Sequence, residues 1–441
     1  MKSVMFGLSL FLCFSLPGAG QDPAPASTTA LETQIRRLRQ EMEDAHRQYR
    51  RQIQALEEEI RLLREAQEAS AAAEEVSAEG ILPPLPAAPP RGNAMNPAVS
   101  VIPDFTAMAG DDPAWTAGDP IQLRELELSF SASIDPFASA FATVALHKHG
   151  HSHDLEERFH AAHADHEDHE EEGEGYEAEI EEAYAVFPGL PGGFSLKFGK
   201  FFSAFGKENQ AHLHTWFQAD RPLAFSLLGG EGINEMGVSL NRLLPTPWAS
   251  DVTVEITGGR DGSLFEGRRA DLAYLVAWRN FWDCTDNANL EAQVSLMGGK
   301  NGERGTTRLG NLSFTYRYKP LASAKRESLL WRTEYVAKRF GSREEYDGEV
   351  HRLTDRSEGL FSYIDWQFAR GWFIGLRGDW VDHEYADLED KGGALALTWF
   401  PSEFQKWRLQ LQRTSYGGLG VRDALVLQYG FSLGPHGAHP F

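Results

Sequence analysis

From Ala98 to Phe441 the chain alternates polar and apolar residues in stretches of about ten, with turn signals between them. A period of two sends alternate side chains to opposite faces, so each stretch reads as a strand with one polar and one apolar side. In Ile121–Asp135, Leu126, Leu128, Phe130, Ala132 and Ile134 share one face, and Glu125, Glu127, Ser129 and Ser131 share the other. In Gly371–Val381, Trp372, Ile374, Leu376 and Trp380 oppose Arg377 and Asp379; in Trp407–Gln412, Trp407, Leu409 and Leu411 oppose Arg408, Gln410 and Gln412. Asn289–Met297, Arg308–Lys319, Ser328–Lys338 and Ala424–Leu433 repeat the pattern, and about sixteen such stretches fit the region.

A soluble sandwich shows the same alternation, so the connections decide. They alternate long and short along the whole region. The long ones lie near 110–120, 147–176, 203–231, 260–270, 298–306, 340–357, 383–392 and 416–420. The short ones lie near Asp135-Pro136, 188–193, 245–250, 283–288, 319–327, Arg370-Gly371 and 401–404. Short turns at one end and longer loops at the other mark an outer-membrane barrel. Aromatic residues near strand ends supply its interfacial girdles: Phe198, Phe201, Trp248, Trp278, Phe281, Trp282, Tyr316, Tyr318, Trp366, Trp399 and Trp407. The expected fold is all-β: a transmembrane, antiparallel, up-and-down barrel of about 16 strands over residues 98–441, ending on the aromatic Phe441. Past residue 20 no apolar run reaches 18 residues, which excludes a spanning helix but not a barrel.

The segments ahead of the barrel differ in kind. Residues 1–20 read as a signal peptide, with Lys2 ahead of the apolar run Val4–Leu16 and Gly18-Ala19-Gly20 at the cleavage site. Residues 29–70 place Leu31, Ile35, Leu38, Met42, Ala45 and Tyr49 at heptad spacing, and after a stutter Ile53, Leu56, Ile60 and Leu63. They predict a periplasmic α-helical coiled coil, and with it self-association, as a homotrimer. Residues 71–97 are a Pro- and Ala-rich linker. Cys13 lies in the signal segment, which leaves Cys284 without an intrachain partner.

Several segments together resemble a bacterial family. They are Asn96-Pro97-Ala98-Val99-Ser100, Glu125-Leu126-Glu127-Leu128-Ser129-Phe130, Ile180-Glu181-Glu182-Ala183-Tyr184, Leu196-Lys197-Phe198-Gly199-Lys200-Phe201-Phe202, His212-Leu213-His214-Thr215-Trp216, Asp220-Arg221-Pro222-Leu223 and Leu433-Gly434-Pro435-His436-Gly437-Ala438-His439. In this order they are similar to the zinc-regulated outer-membrane β-barrel proteins, related to the phosphate-selective porin superfamily. Members often carry the label TonB-dependent receptor. A receptor of that type needs a plug domain and a 22-stranded barrel. This chain has a heptad helix in the plug's place and room for about sixteen strands. The resemblance therefore implies a passively permeable, porin-like barrel with a zinc connection.

The formal net charge is −22, and −12 of it falls in residues 147–182. Without a general basic patch the chain is no partner for nucleic acid. That segment also carries eight of the fifteen histidines: His147, His149, His151, His153, His160, His163, His166 and His169. Neutral imidazoles among carboxylates suit Zn²⁺, Ni²⁺ or Cu²⁺, and this spacing suits a flexible chelator rather than one rigid site. The outer loop 147–176 is thus expected to hold weakly bound, exchangeable Zn²⁺; no cofactor is required. In many porins the third outer loop, here 203–231, folds into the lumen. His212 and His214 in it, with Asp220, form a candidate metal or substrate site at a constriction, and His436 and His439 could bind metal at the opposite end.

The polar strand faces should line the pore through Glu125, Glu127, Lys197, Lys200, Arg317, Arg332, Glu334, Arg377, Asp379 and Arg408, together with Glu291, Lys338 and Asp365. Their signs are mixed, so no ion preference follows. No Gly-x-Ser-x-Gly elbow, Walker loop or His-Glu-x-x-His run occurs, so an enzyme is not expected. The expected partners are outer-membrane lipid, further copies of the chain, the barrel-assembly machinery through Phe441, and small solutes or metal ions. The expected role is passive diffusion across the outer membrane of a Gram-negative cell, linked to zinc acquisition through the His-rich loop. The alternative is a structural, metal-sequestering barrel tethered by its coiled coil, with little conductance.

Overall fold

The computed structural model describes residues 97–434 apart from 117–118, 149–175, 230–231, 261–263, 269, 322, 347–348 and 384–387. The signal segment, coiled coil, linker up to residue 96, His149 to His169, His436, His439 and Phe441 lie outside the described residues.

Sixteen antiparallel strands close into one barrel. In chain order they are β1 (Ala98–Gly110), β2 (Ile121–Asp135), β3 (Ala138–Lys148), β4 (Tyr176–Leu190), β5 (Phe194–Phe202), β6 (Asn234–Leu243), β7 (Ala249–Thr257) and β8 (Ala273–Thr285). They continue with β9 (Ala288–Lys300), β10 (Thr306–Tyr318), β11 (Ser328–Tyr346), β12 (Glu349–Ala369), β13 (Trp372–His383), β14 (Leu388–Ser402), β15 (Gln405–Tyr416) and β16 (Gly420–Phe431). Each strand pairs with its sequence neighbours, and β1 pairs with β16, Phe105 opposite Tyr429, so the sheet has no free edge. Among the described residues no helix is long and apolar enough to cross a membrane.

The alternation resolves inside out. On β15, Leu411 is 54% exposed and Leu409 44%, while Gln410 between them is fully buried. Leu312, Leu376, Leu395 and Leu427 are likewise exposed on the outer surface, and Asn311, Arg377, Thr398 and Gln428 are buried within. A continuous apolar outer wall of this kind is stable against lipid rather than water. Trp248, Trp366, Trp399 and Trp407 stand exposed near the short-turn end. Trp372 stacks on Trp399 and Trp407 packs on Tyr429, with ring centroids 5.5 and 4.2 Å apart. These are the side chains of an interfacial girdle.

The turns follow from local chemistry. Asp135 Oδ1 accepts the backbone N–H of Phe137 and of Ala138 at 2.7 and 2.9 Å, closing β2 onto β3. The turn between β12 and β13 uses Gly371 at φ 71°, where a Cβ would stand 2.4 Å from the Phe400 carbonyl oxygen.

One expected connection is corrected. Residues 340–357 are mostly strand: β11 and β12 run 19 and 21 residues and stay paired up to Tyr346 opposite Glu349. The ladder continues past the height of the neighbouring strands. There the alternation is no longer imposed by lipid, which is why the polar run around Arg343 reads as a loop.

Candidate functional site: a loop across the lumen

The described residues of the connection from β5 to β6, 203–229 and 232–233, lie inside the barrel. The connection contains three short 3₁₀ turns, Glu208–Gln210, Leu213–Thr215 and Leu223–Leu228. Inward side chains from many strands hold it. Glu334 on β11 accepts the backbone N–H of Lys207 and of Glu208 at 3.0 and 2.9 Å. Gly206 makes that approach workable, because at φ 73° a Cβ would stand 2.3 Å from Glu334 Oε2. Arg332 donates to Glu208 at 2.7 Å, and Lys207 donates to Glu291 at 3.1 Å. Burial lowers the pKa of the Lys207 ammonium despite Glu291 beside it.

Further along the loop the anchors move to other strands. Arg377 on β13 grips Asp220 with two nitrogens, at 3.0 and 2.7 Å, and its Nε donates to Asp379 at 2.7 Å. Arg408 on β15 donates to the carbonyls of Gln218 and Trp216 at 2.7 and 2.9 Å. Lys406 donates to the His214 carbonyl, and Arg124 on β2 to that of Ala219. Three alternate strands, β11, β13 and β15, thus each contribute one arginine to the loop. The loop's own Phe225, Leu227 and Leu228 pack with Phe361, Tyr363 and Val381 of the wall, so apolar burial reinforces the polar anchors.

On the other side, the segment around His212 meets β2 and β4. His212 Nδ1 lies 3.2 Å from Glu181 Oε2, and Nε2 lies 2.9 Å from Glu182 Oε2. His214 Nδ1 lies 2.7 Å from Glu127 Oε2, while the Ser129 hydroxyl donates to Glu127 Oε1 at 2.5 Å. The two imidazoles stack with centroids 5.8 Å apart, and Phe202 stands edge-on to His212. Burial disfavours a charged His212 ring, yet Glu127, Glu181 and Glu182 outweigh it and hold its pKa well above the usual value.

Of the residues expected to line a pore, Glu125, Glu127, Arg332, Glu334, Arg377, Asp379 and Arg408 are buried. Most are tied to the loop or to one another instead of facing open water. The Lys197 ammonium sits over the Tyr184 and Phe201 rings. Lys200 is a correction: its partner across the ladder is Met236, 59% exposed on the outer wall, and its ammonium bonds Glu179 at 2.7 Å. Lys200 lies three residues from Lys197 in an unbroken ladder, so alternation itself puts the two on opposite faces. Asp220 is a second correction, since Arg377 holds it away from the histidine pair. His147, next to the last residue of β3, stands opposite Glu125 and Glu177. Glu181 and Glu182 escaped the sequence reading because both face the cluster from adjacent positions. The ladder slips between Thr143 and Val144, where Glu182 and Ile180 pair and Glu181 bulges.

The loop leaves space beside it. A cavity of about 50 Å³ lies between Lys197, Gln210, Asp251, Glu255 and Arg279, and a smaller one lies by Trp216, Asp365 and Arg408.

No family model matches the chain. An uncharacterized protein of Aquifex aeolicus (strain VF5) is 28% identical over 359 residues, covering 72% of this chain and 70% of that protein. Among solved structures, the outer-membrane channel DcaP of Acinetobacter baumannii is similar with a TM-score of 0.48 and 11% identity over 77% of this chain and 96% of that one. An anion-selective porin from Comamonas acidovorans gives 0.49 and 9% over 77% and 99%. OprB of Pseudomonas putida gives 0.47 and 11% over 77% and 94%. At this level of likeness a functional reading has to rest on the chain's own geometry.

Proposed function

We propose that this chain is a porin-like channel of the Gram-negative outer membrane, passing small hydrophilic solutes or ions by diffusion through a lumen narrowed by residues 203–233. The observation that carries it is the inverted wall, exposed leucines alternating with buried glutamine, arginine and glutamate around sixteen closed strands. A polar interior with an apolar exterior is what a water-filled path through lipid requires. Mixed charge beside the loop, with Lys197 and Arg279 near Asp251 and Glu255, favours polar solutes of either sign. The signal segment at residues 1–20 supports export, and the heptads of 29–70 support a trimer whose coiled coils lie in the periplasm. The histidine- and acid-rich segment 147–176 would gather divalent metal at the outer mouth and link the channel to zinc acquisition.

Liposome swelling tests this directly. Vesicles holding the purified barrel should swell in small sugars and stop swelling above a size limit set by the loop. Absence of swelling in every solute would favour the metal-sequestering, structural alternative.

A further inference from the structure

The contacts that fasten the loop to β2 and β4 also assemble a donor set. His212 Nδ1 faces two carboxylates at once, Glu181 Oε2 at 3.2 Å and Glu127 Oε2 at 3.8 Å. The three donor atoms lie within 4.8 Å of one another. Around a tetrahedral ion with ligands at 2.0–2.2 Å, donors stand about 3.4 Å apart. Closing this set therefore takes movements of about an ångström at carboxylate ends, within reach of a rotamer adjustment.

We propose that Glu127, Glu181 and His212 form a binding site for a divalent first-row transition-metal ion inside the lumen. One imidazole nitrogen and two carboxylate oxygens suit zinc and its neighbours better than calcium or magnesium, which prefer oxygen alone. The remaining positions are left to water, so the ion would be exchangeable. Orientation is supplied from outside the donor set: Glu182 holds His212 through Nε2 at 2.9 Å, and Ser129 holds Glu127 through its second oxygen at 2.5 Å. Charge fits as well. Glu182 adds a further carboxyl group beside the donor set, which suits a cation. The Phe202 edge, its centroid 5.5 Å from His212, shields the site from water, where attraction between an ion and carboxylates would be weaker. A bound ion would join loop to wall by three ligands from three segments. The site stands whether or not the barrel conducts.

The test is zinc titration of the full-length folded barrel in detergent against a chromophoric chelator, with Co²⁺ absorption as a second readout. Three variants are compared with the parent: His212→Gln, Glu181→Gln, and one in which the loop histidines 149 to 169 are changed to asparagine. Glu181→Gln keeps His212 bonded to Glu182, and heat-modifiable migration confirms folding in each. The expected result is one site lost in His212→Gln and weakened in Glu181→Gln by more than the ~10–100-fold that an outer-shell partner is worth. The loop variant should keep that site and its cobalt spectrum. Unchanged stoichiometry and affinity in both lumen variants would overturn the proposal, as would loss of all zinc binding in the loop variant alone.

Discussion

Arg377 should be the most costly anchor of the lumen loop to remove. Its side chain is 1% exposed, and it donates to both Asp220 oxygens and to Asp379, whose carboxylate is fully buried. Arg377→Ala therefore strands two acids in a low-dielectric interior. Breaking a buried pair by removing one partner costs about 3–5 kcal/mol. Asp220→Ala leaves Arg377 still paired with Asp379, so its cost is that of charged hydrogen bonds, about 1.5–3 kcal/mol. The double variant should cost less than the sum by about 0.5–3 kcal/mol, because no carboxylate at position 220 is left unpaired. Hydrogen exchange of residues 216–224 reads these values, since local opening governs those amides while the strand ladder stays closed. At about 1.4 kcal/mol per decade, Arg377→Ala should speed their exchange roughly 10²- to 10³-fold or more. Barrel amides on β13 and β15 should stay protected. Unchanged loop exchange in Arg377→Ala, or strictly additive single and double variants, would refute the anchoring by Arg377.

Further outcomes are expected elsewhere. Gly206→Ala combines a strained left-handed φ of 73° with a clash against Glu334, so loop exchange should rise by the equivalent of at least ~1–2 kcal/mol; calorimetry of the barrel should barely change. Leu411→Arg places a charge on the outer wall and should destabilise the barrel in lipid by about 2–4 kcal/mol if position 411 lies near mid-membrane, read by urea unfolding in vesicles. Leu411→Val should cost far less. Removing residues 21–95 should lower the particle mass in light scattering from trimer to monomer if the heptads assemble the chain; an unchanged mass would place assembly in the barrel.

Much of the fold is legible because a membrane barrel writes its register into the sequence. Leu409 and Leu411 against Arg408, Gln410 and Gln412 already give inside and outside, and the rhythm of long and short connections gives the antiparallel closure. The legibility fails where lipid stops dictating alternation. The outer halves of β11 and β12 are solvent-side hairpin, and their charged run around Arg343 looks like a loop. It fails again where local backbone departs from the regular pleat, as at Glu181, whose bulge brings two successive glutamates to His212. The site is less legible than the fold because its partners are remote in sequence. Asp220 sits six residues from His214, yet it belongs to Arg377, 157 residues away. Glu127 reaches His214 across 87 residues. Inward orientation can be read from a strand; the partner an inward side chain meets requires the folded loop.

Single-channel recording in planar bilayers tests the central claim most directly. The purified barrel should open stable, voltage-tolerant conductances, and Arg377→Ala should raise their size and noise by freeing the loop from one wall. A bilayer that stays silent with correctly folded, inserted protein would contradict a diffusion channel, and an identical conductance in the variant would contradict a lumen governed by residues 203–233.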